Sequence, residues 1–119
     1  MPQATVRLVN ATRNTVLGDK IVIAQTSLSR MVGLLPKASL EPGAGLIIAP
    51  SQGVHTVGMR FAIDVIFLDR KWRVIDMYEA LPPFRISRIR WKARAVVELP
   101  AGTITQTATS MGDELQVHE

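Results

Sequence analysis

Cysteine is absent from the 119-residue chain, and that one absence removes a disulfide framework, a thiolate zinc site and a cysteine nucleophile. Aromatic residues are scarce too: three Phe, two Trp and one Tyr leave few platforms on which bases or sugars could stack. No apolar run approaches the roughly 18 residues that span a bilayer, and the opening MPQATVRLVN lacks the basic region and apolar stretch of a secretory leader. The chain therefore reads as soluble and cytoplasmic, or as exported if a leader has been removed. It carries no internal repeat and no low-complexity linker, so residues 1–119 read as one domain.

What is present has the balance of an ordinary globular protein, 47% hydrophobic and 20% charged. A chain of this length buries roughly 65% of its unfolded surface, so packing alone can hold it together. The formal charge of +4 favours acidic or polyanionic partners over basic ones, but only the placement of the cations decides whether they form a site.

Along the chain, Ala4–Val9 alternates and Lys20–Ala24 repeats a strand-like composition across the turn signal Gly18-Asp19, which predicts an opening hairpin. Thr26 or Ser27 can cap a short helix bearing Leu28, Met31, Val32, Leu34 and Leu35, closed by Pro36. A Pro/Gly loop precedes the apolar run Leu46–Ala49, Asp69-Arg70-Lys71 reads as a turn, and Trp72–Met77 reads as a strand. Leu81-Pro82-Pro83-Phe84 breaks the chain, and Ile86–Leu99 is again β-rich. Thr103–Ser110 is balanced between helix and strand, and Gly112-Asp113 turns into a last strand, Glu114–Val117. The sum is a mainly β fold, a sandwich or distorted barrel of about seven short strands with one or two short helices; an α+β arrangement is the alternative.

The segment SQGVHTVGMRFAIDVIFLD, Ser51–Asp69, sets polar groups among core-like residues, and buried polar groups cost free energy unless paired. As one extended strand it would place Thr56, Arg60 and Asp64 on one side and His55 on the other, with Arg60 and Asp64 about 13 Å apart. A bend at Gly58 or at Phe61-Ala62 would let His55, Arg60 and Asp64 converge. Alternatively, Asp64 satisfies backbone donors and His55 is a hydrogen-bonded residue at a strand end. A Ser51-His55-Asp64 triad lacks a nucleophile-elbow signature, and the histidines and carboxylates lack metal-ligand spacing, so neither a metal nor a cofactor is indicated.

Arg88, Arg90, Lys92 and Arg94 alternate with Ile89, Trp91 and Ala93, and on a strand the cations would form a basic stripe with Ile89 and Trp91 facing away. Such a stripe tracks phosphates or simply protects a solvated edge strand. Arg30 and Glu98 each sit inside an apolar stretch, where a charge normally has a partner.

Five segments in order, SRMVGLL, GLII, VHTVGMRFAIDVIFLD, ARAVVELPAG and MGDEL, resemble the bacterial and archaeal domain-of-unknown-function family 192 over nearly the whole chain. The resemblance implies a compact mainly β fold and places Arg30, Gly33, His55, Thr56, Met59, Arg60, Asp64, Glu98, Gly102 and Asp113 at signature positions, but it supplies no reaction. Ser51 stands where relatives often carry cysteine, and Ala62 where they often carry proline before Ile-Asp. The leading expectation is a ligand-binding domain in which Arg30, His55, Thr56, Arg60, Asp64 and Glu98 take a small polar or anionic ligand or a peptide. The alternatives are a hydrolase or isomerase using His55 as base and Asp64 as its orienter, and a nucleic-acid or acidic-partner module using Arg88, Arg90, Lys92 and Arg94.

Overall fold

The computed structural model describes residues 4–24, 40–56 and 60–119. Its seven strands are β1 Val6–Asn10, β2 Thr15–Ala24, β3 Ala44–Ile48, β4 Ile63–Leu68, β5 Val74–Leu81, β6 Ala95–Pro100 and β7 Leu115–His118. One short helix, α1, covers Thr103–Thr107 among the described residues. The strands form a single mixed sheet in the order β5-β4-β6-β3-β2-β1-β7. β2 and β3 run parallel, and the other neighbours run antiparallel. The two outermost strands meet at one end, where Val74 N donates to Asp113 O at 2.8 Å and Leu115 N to Trp72 O at 2.9 Å. That seam turns the sheet into a half-barrel, so the mainly β class expected from the chain holds, with a distorted barrel and not a sandwich as its form.

Burial explains which strands read as continuous apolar runs. Every residue of β4 is buried, as is all of β6 but its last, because apolar clusters cover both faces of the sheet there. Ile66, Leu68, Val97 and Leu99 point into the half-barrel with Ile104 of α1, whereas Val65, Phe67 and Val96 join the second cluster with Leu46. Each central strand carries one acid within this double burial. The register pairs Asp64 with Leu99 and Val65 with Glu98, so the two carboxylates lie on opposite faces.

The helix starts where it does because of Asp64. Gly102 N donates to Asp64 Oδ2 at 3.2 Å and Ile104 N to the same oxygen at 2.8 Å, so a carboxylate on a distant strand takes N–H groups that the first turn leaves without intrahelical partners. At the other end of the tail, Asp113 binds the Gly112 turn to the opening hairpin. It accepts from Ser110 N and Asn10 Nδ2, each at 2.9 Å, and from Arg13 Nε at 3.0 Å. Burial alone would push the Asp113 carboxyl up, but Arg13, Asn10 and Ser110 together hold it below the usual carboxylate range.

Three expectations are corrected. The opening hairpin exists, but its turn lies at residues 11–14, with Asn14 at φ 59°, and β2 runs straight through Gly18-Asp19. Gly18 is a close-approach residue: a Cβ there would stand 2.6 Å from Gly43 O and 2.7 Å from Ile21 Cδ1. Gly18→Ala is accordingly expected to cost about 1–3 kcal/mol by overpacking, measurable as a lowered urea midpoint. Secondly, Ser51–Asp69 is not one strand. Among its described residues only Ile63–Leu68 joins the sheet, while residues 52–56 pair with the segment 84–90.

Thirdly, Ile86–Leu99 enters the sheet only at Ala95, so Arg88, Arg90, Lys92 and Arg94 do not form a strand stripe. Ile89 and Trp91, expected on the strand face opposite the cations, are exposed in a segment outside the sheet. The ambiguous Thr103–Ser110 resolves as the short helix α1. The helix expected over 26–36 lies outside the described residues.

Candidate functional site

Of the side chains expected to form a His/Thr/Arg/Asp cluster, those of Thr56 and Asp64 are engaged by backbone groups. Thr56 is buried, with Oγ1 donating to Pro82 O at 2.6 Å and accepting from Arg85 N at 2.8 Å. It clips the Pro82–Arg85 turn to residue 56, a structural use of the hydroxyl. Asp64 is fully buried, and besides Gly102 and Ile104 it accepts from Ala80 N at 2.8 Å. Those three backbone donors occupy both carboxylate oxygens.

His55 is exposed, and its backbone bridges Ile86; Arg60 is exposed as well. Arg30, Gly33 and Met59 lie outside the described residues.

Glu98 is buried on the second face of the sheet, and among the described residues neither of its carboxylate oxygens has a hydrogen-bond partner. Burial pushes its carboxyl up to about 7. It faces Leu46 and Val65 across the neighbouring strands and cannot meet Asp64, which points the other way.

The basic residues divide into two groups. Arg88 forms a fork on Asp76, with Nη2 donating to Oδ2 at 3.0 Å and Nε to the same oxygen at 3.3 Å. Its guanidinium lies over the Tyr78 ring, 4.6 Å from the centroid, and Arg90 Nε approaches Asp76 at 3.5 Å. Those two arginines are tied to β5. Lys92 and Arg94 instead line a cleft of about 470 Å³ together with Trp91 and the turn residues Asp69, Arg70, Lys71 and Arg73.

This cleft is built from two loops anchored on the end of β4. Arg94 N donates to Leu68 O at 2.8 Å, and Asp69 N donates to Arg73 O at 3.0 Å. The Asp69 carboxylate is turned into its own loop, where Oδ1 accepts from Lys71 N at 2.8 Å and Arg73 N at 3.0 Å. Five cationic side chains thus face one carboxylate that is already engaged, and among the described residues none of the five makes an ion pair. Five like charges so placed repel one another, and a bound anion would relieve that repulsion.

A second cleft of about 520 Å³ between β2 and α1 holds Arg7 with Asp19 and has no such excess of one sign. Reading the sequence as a stripe at 88–94 missed Arg70, Lys71 and Arg73. The signal was present in DRKWR, three cations in a five-residue turn. Among the described residues no group of three or more His, Asp or Glu side chains gathers as a metal site, and no helix is long and apolar enough to cross a membrane.

Fold and site define a small, mainly β half-barrel with a cationic cleft beside its seam. The chain belongs to the DUF192 family, described as "Uncharacterized ACR, COG1430", whose model matches residues 8–117. It is 32% identical over 113 residues to a UPF0127 protein of Thermococcus sibiricus, covering 91% of this chain and 72% of that one. It is 30% identical to the UPF0127 protein PH1112 of Pyrococcus horikoshii, over 92% of this chain and 96% of the relative. The crystal structure of a protein of unknown function from Novosphingobium aromaticivorans has a TM-score of 0.77 to it at 20% identity, covering 93% and 83% of the two chains. That last likeness is one of fold.

Proposed function

We propose that the protein is a binding module for phosphate-bearing or other multiply charged anions, with its site in the cleft between Asp69–Arg73 and residues 91–94. The observation that carries this reading is the cleft's charge: Arg70, Lys71, Arg73, Lys92 and Arg94 around one side, and a lone carboxylate occupied by backbone N–H groups. Arginine forks suit phosphate and carboxylate oxygens, and the Trp91 ring supplies a flat apolar wall for whatever carries the charge. The ligand class is the anionic one expected from the chain, moved from the His55/Thr56/Arg60/Asp64 cluster to the other loops. An acid–base pair of His55 and Asp64 draws no support from the geometry, because His55 is exposed whereas Asp64 is fully buried and engaged by Ala80, Gly102 and Ile104.

Calorimetric titration with inorganic tripolyphosphate tests the reading. Affinity falls steeply as salt is raised, and the double variant Arg73→Ala/Arg94→Ala binds about tenfold or more weakly, while His55→Ala and Arg60→Ala bind as wild type. Absence of binding at low salt, or undiminished binding by the cleft variant, rejects it.

A further inference from the structure

Beside the cleft, four large apolar side chains stand in solvent within the stretch Phe84–Trp91. Phe84 is 67% exposed, Ile86 77%, Ile89 54% and Trp91 78%. Isolated exposed apolar residues are ordinary, but four so close in one stretch form a patch of the kind that marks an interaction surface. The backbone beneath them is fixed. Phe84 N donates to Thr56 O at 3.0 Å, Ser87 N to Val54 O at 2.9 Å and Arg90 N to Gln52 O at 2.9 Å. Gln52 Nε2 donates to Trp91 O at 2.9 Å, and the buried Ser87 hydroxyl accepts from Val54 N. The apolar side chains are therefore held outward by a ribbon whose inner side is spent on hydrogen bonds.

Cations are interleaved with them: Arg85 separates Phe84 from Ile86, Arg90 separates Ile89 from Trp91, and Lys92 and Arg94 continue into the cleft. Asp76, the acid in contact with this stretch, is already paired with Arg88 and Arg90. A partner here must accept apolar side chains and supply negative charge at the spacing of single residues. An anionic bilayer surface does both, because its acyl region takes Phe and Ile, its headgroup level takes Trp, and its phosphates pair with Arg and Lys.

We infer that the Phe84–Trp91 ridge docks the protein on anionic lipid surfaces, with a headgroup phosphate in the cleft of Lys92 and Arg94. This rests on the reading of that cleft as an anion site, and names its partner. The ridge supplies the apolar part of the attachment and the cleft the charge, so the two are separable by substitution.

The experiment compares phosphatidylcholine vesicles with and without phosphatidylglycerol, using co-sedimentation of the full chain and, in Trp72→Phe, the emission of Trp91 as the remaining tryptophan. Wild type is expected to sediment with the anionic vesicles and not with the neutral ones, and Trp91 emission to shift to the blue on binding. Ile86→Ser/Ile89→Ser, both at exposed positions, is expected to bind anionic vesicles about tenfold or more weakly while binding inorganic tripolyphosphate as wild type does. Vesicle binding unchanged in the ridge variant overturns the inference. Tripolyphosphate binding by a wild type that ignores vesicles overturns it too and leaves the anion reading standing. A wild type that binds neither overturns both.

Discussion

Replacing Asp64 by alanine is expected to lower folding stability by about 4 kcal/mol, seen as a large fall in the urea midpoint. The substitution strands three backbone donors, Ala80 N, Gly102 N and Ile104 N, at a fully buried position. Charge-assisted bonds of this kind contribute about 1.5–3 kcal/mol each, and their losses are not additive. Against the roughly 5–15 kcal/mol that holds a typical domain together, such a change brings the chain close to unfolding.

Asparagine is expected to rescue little, because its NH₂ group must meet either Ala80 N or the Gly102/Ile104 pair, donor against donor. A loss below about 1 kcal/mol in Asp64→Ala would show that water reaches those amides and that the carboxylate is not the anchor described.

The second large effect concerns Glu98 and depends on pH. Its carboxyl is raised by burial to about 7 in the folded protein, from an ordinary value of 4.5. Between those values the folded chain keeps a proton that the unfolded chain has shed, so the contribution of Glu98 to stability is full below about 4.5 and falls as pH rises through about 7, with no further loss above. At about 1.4 kcal/mol per pH unit the total comes to about 3 kcal/mol. Glu98→Gln is expected to remove this slope, and Glu98→Leu, of similar volume among Leu46 and Val65, to exceed wild type in stability at pH 8 by about 2 kcal/mol or more. Urea unfolding at pH 5 and pH 8 reads both. Wild-type and Glu98→Gln stabilities that run parallel over this range would mean the carboxylate is solvated or paired in solution.

The fold class was legible because the determinants of strands are local. Apolar runs such as IDVIFL and AVVELP announce strands buried on both faces, and the Pro82-Pro83 pair ends β5 where two missing donors require it. The Asp69 turn and the Gly112-Asp113 turn were equally readable from their side chains. The turn of the opening hairpin was not, because Gly18 looks the same in sequence whether it bends the chain or admits the backbone of Gly43.

The site was less legible for a different reason. Whether Thr56 and Asp64 face a ligand or backbone groups depends on peptide groups 16 to 40 residues further along the chain, at Pro82–Arg85 and at Ala80, Gly102 and Ile104. Nor does alternation between 88 and 94 reveal that the segment leaves the sheet, which is why its cations were expected to form a strand stripe.

The placement of β7 between β1 and the seam with β5 also governs how the chain can assemble. β1 pairs with residues more than a hundred positions away, as in Arg7 with His118 and Asn10 with Leu115. Loop closure over such a separation must be completed before those contacts yield anything, a topology associated with slow folding. During synthesis, β1 and β2 can pair early, but the barrel seam waits for Leu115–His118 to emerge. Until then the edges of β1 and β5 stay open, and the emerging chain is most exposed to mispairing with its neighbours.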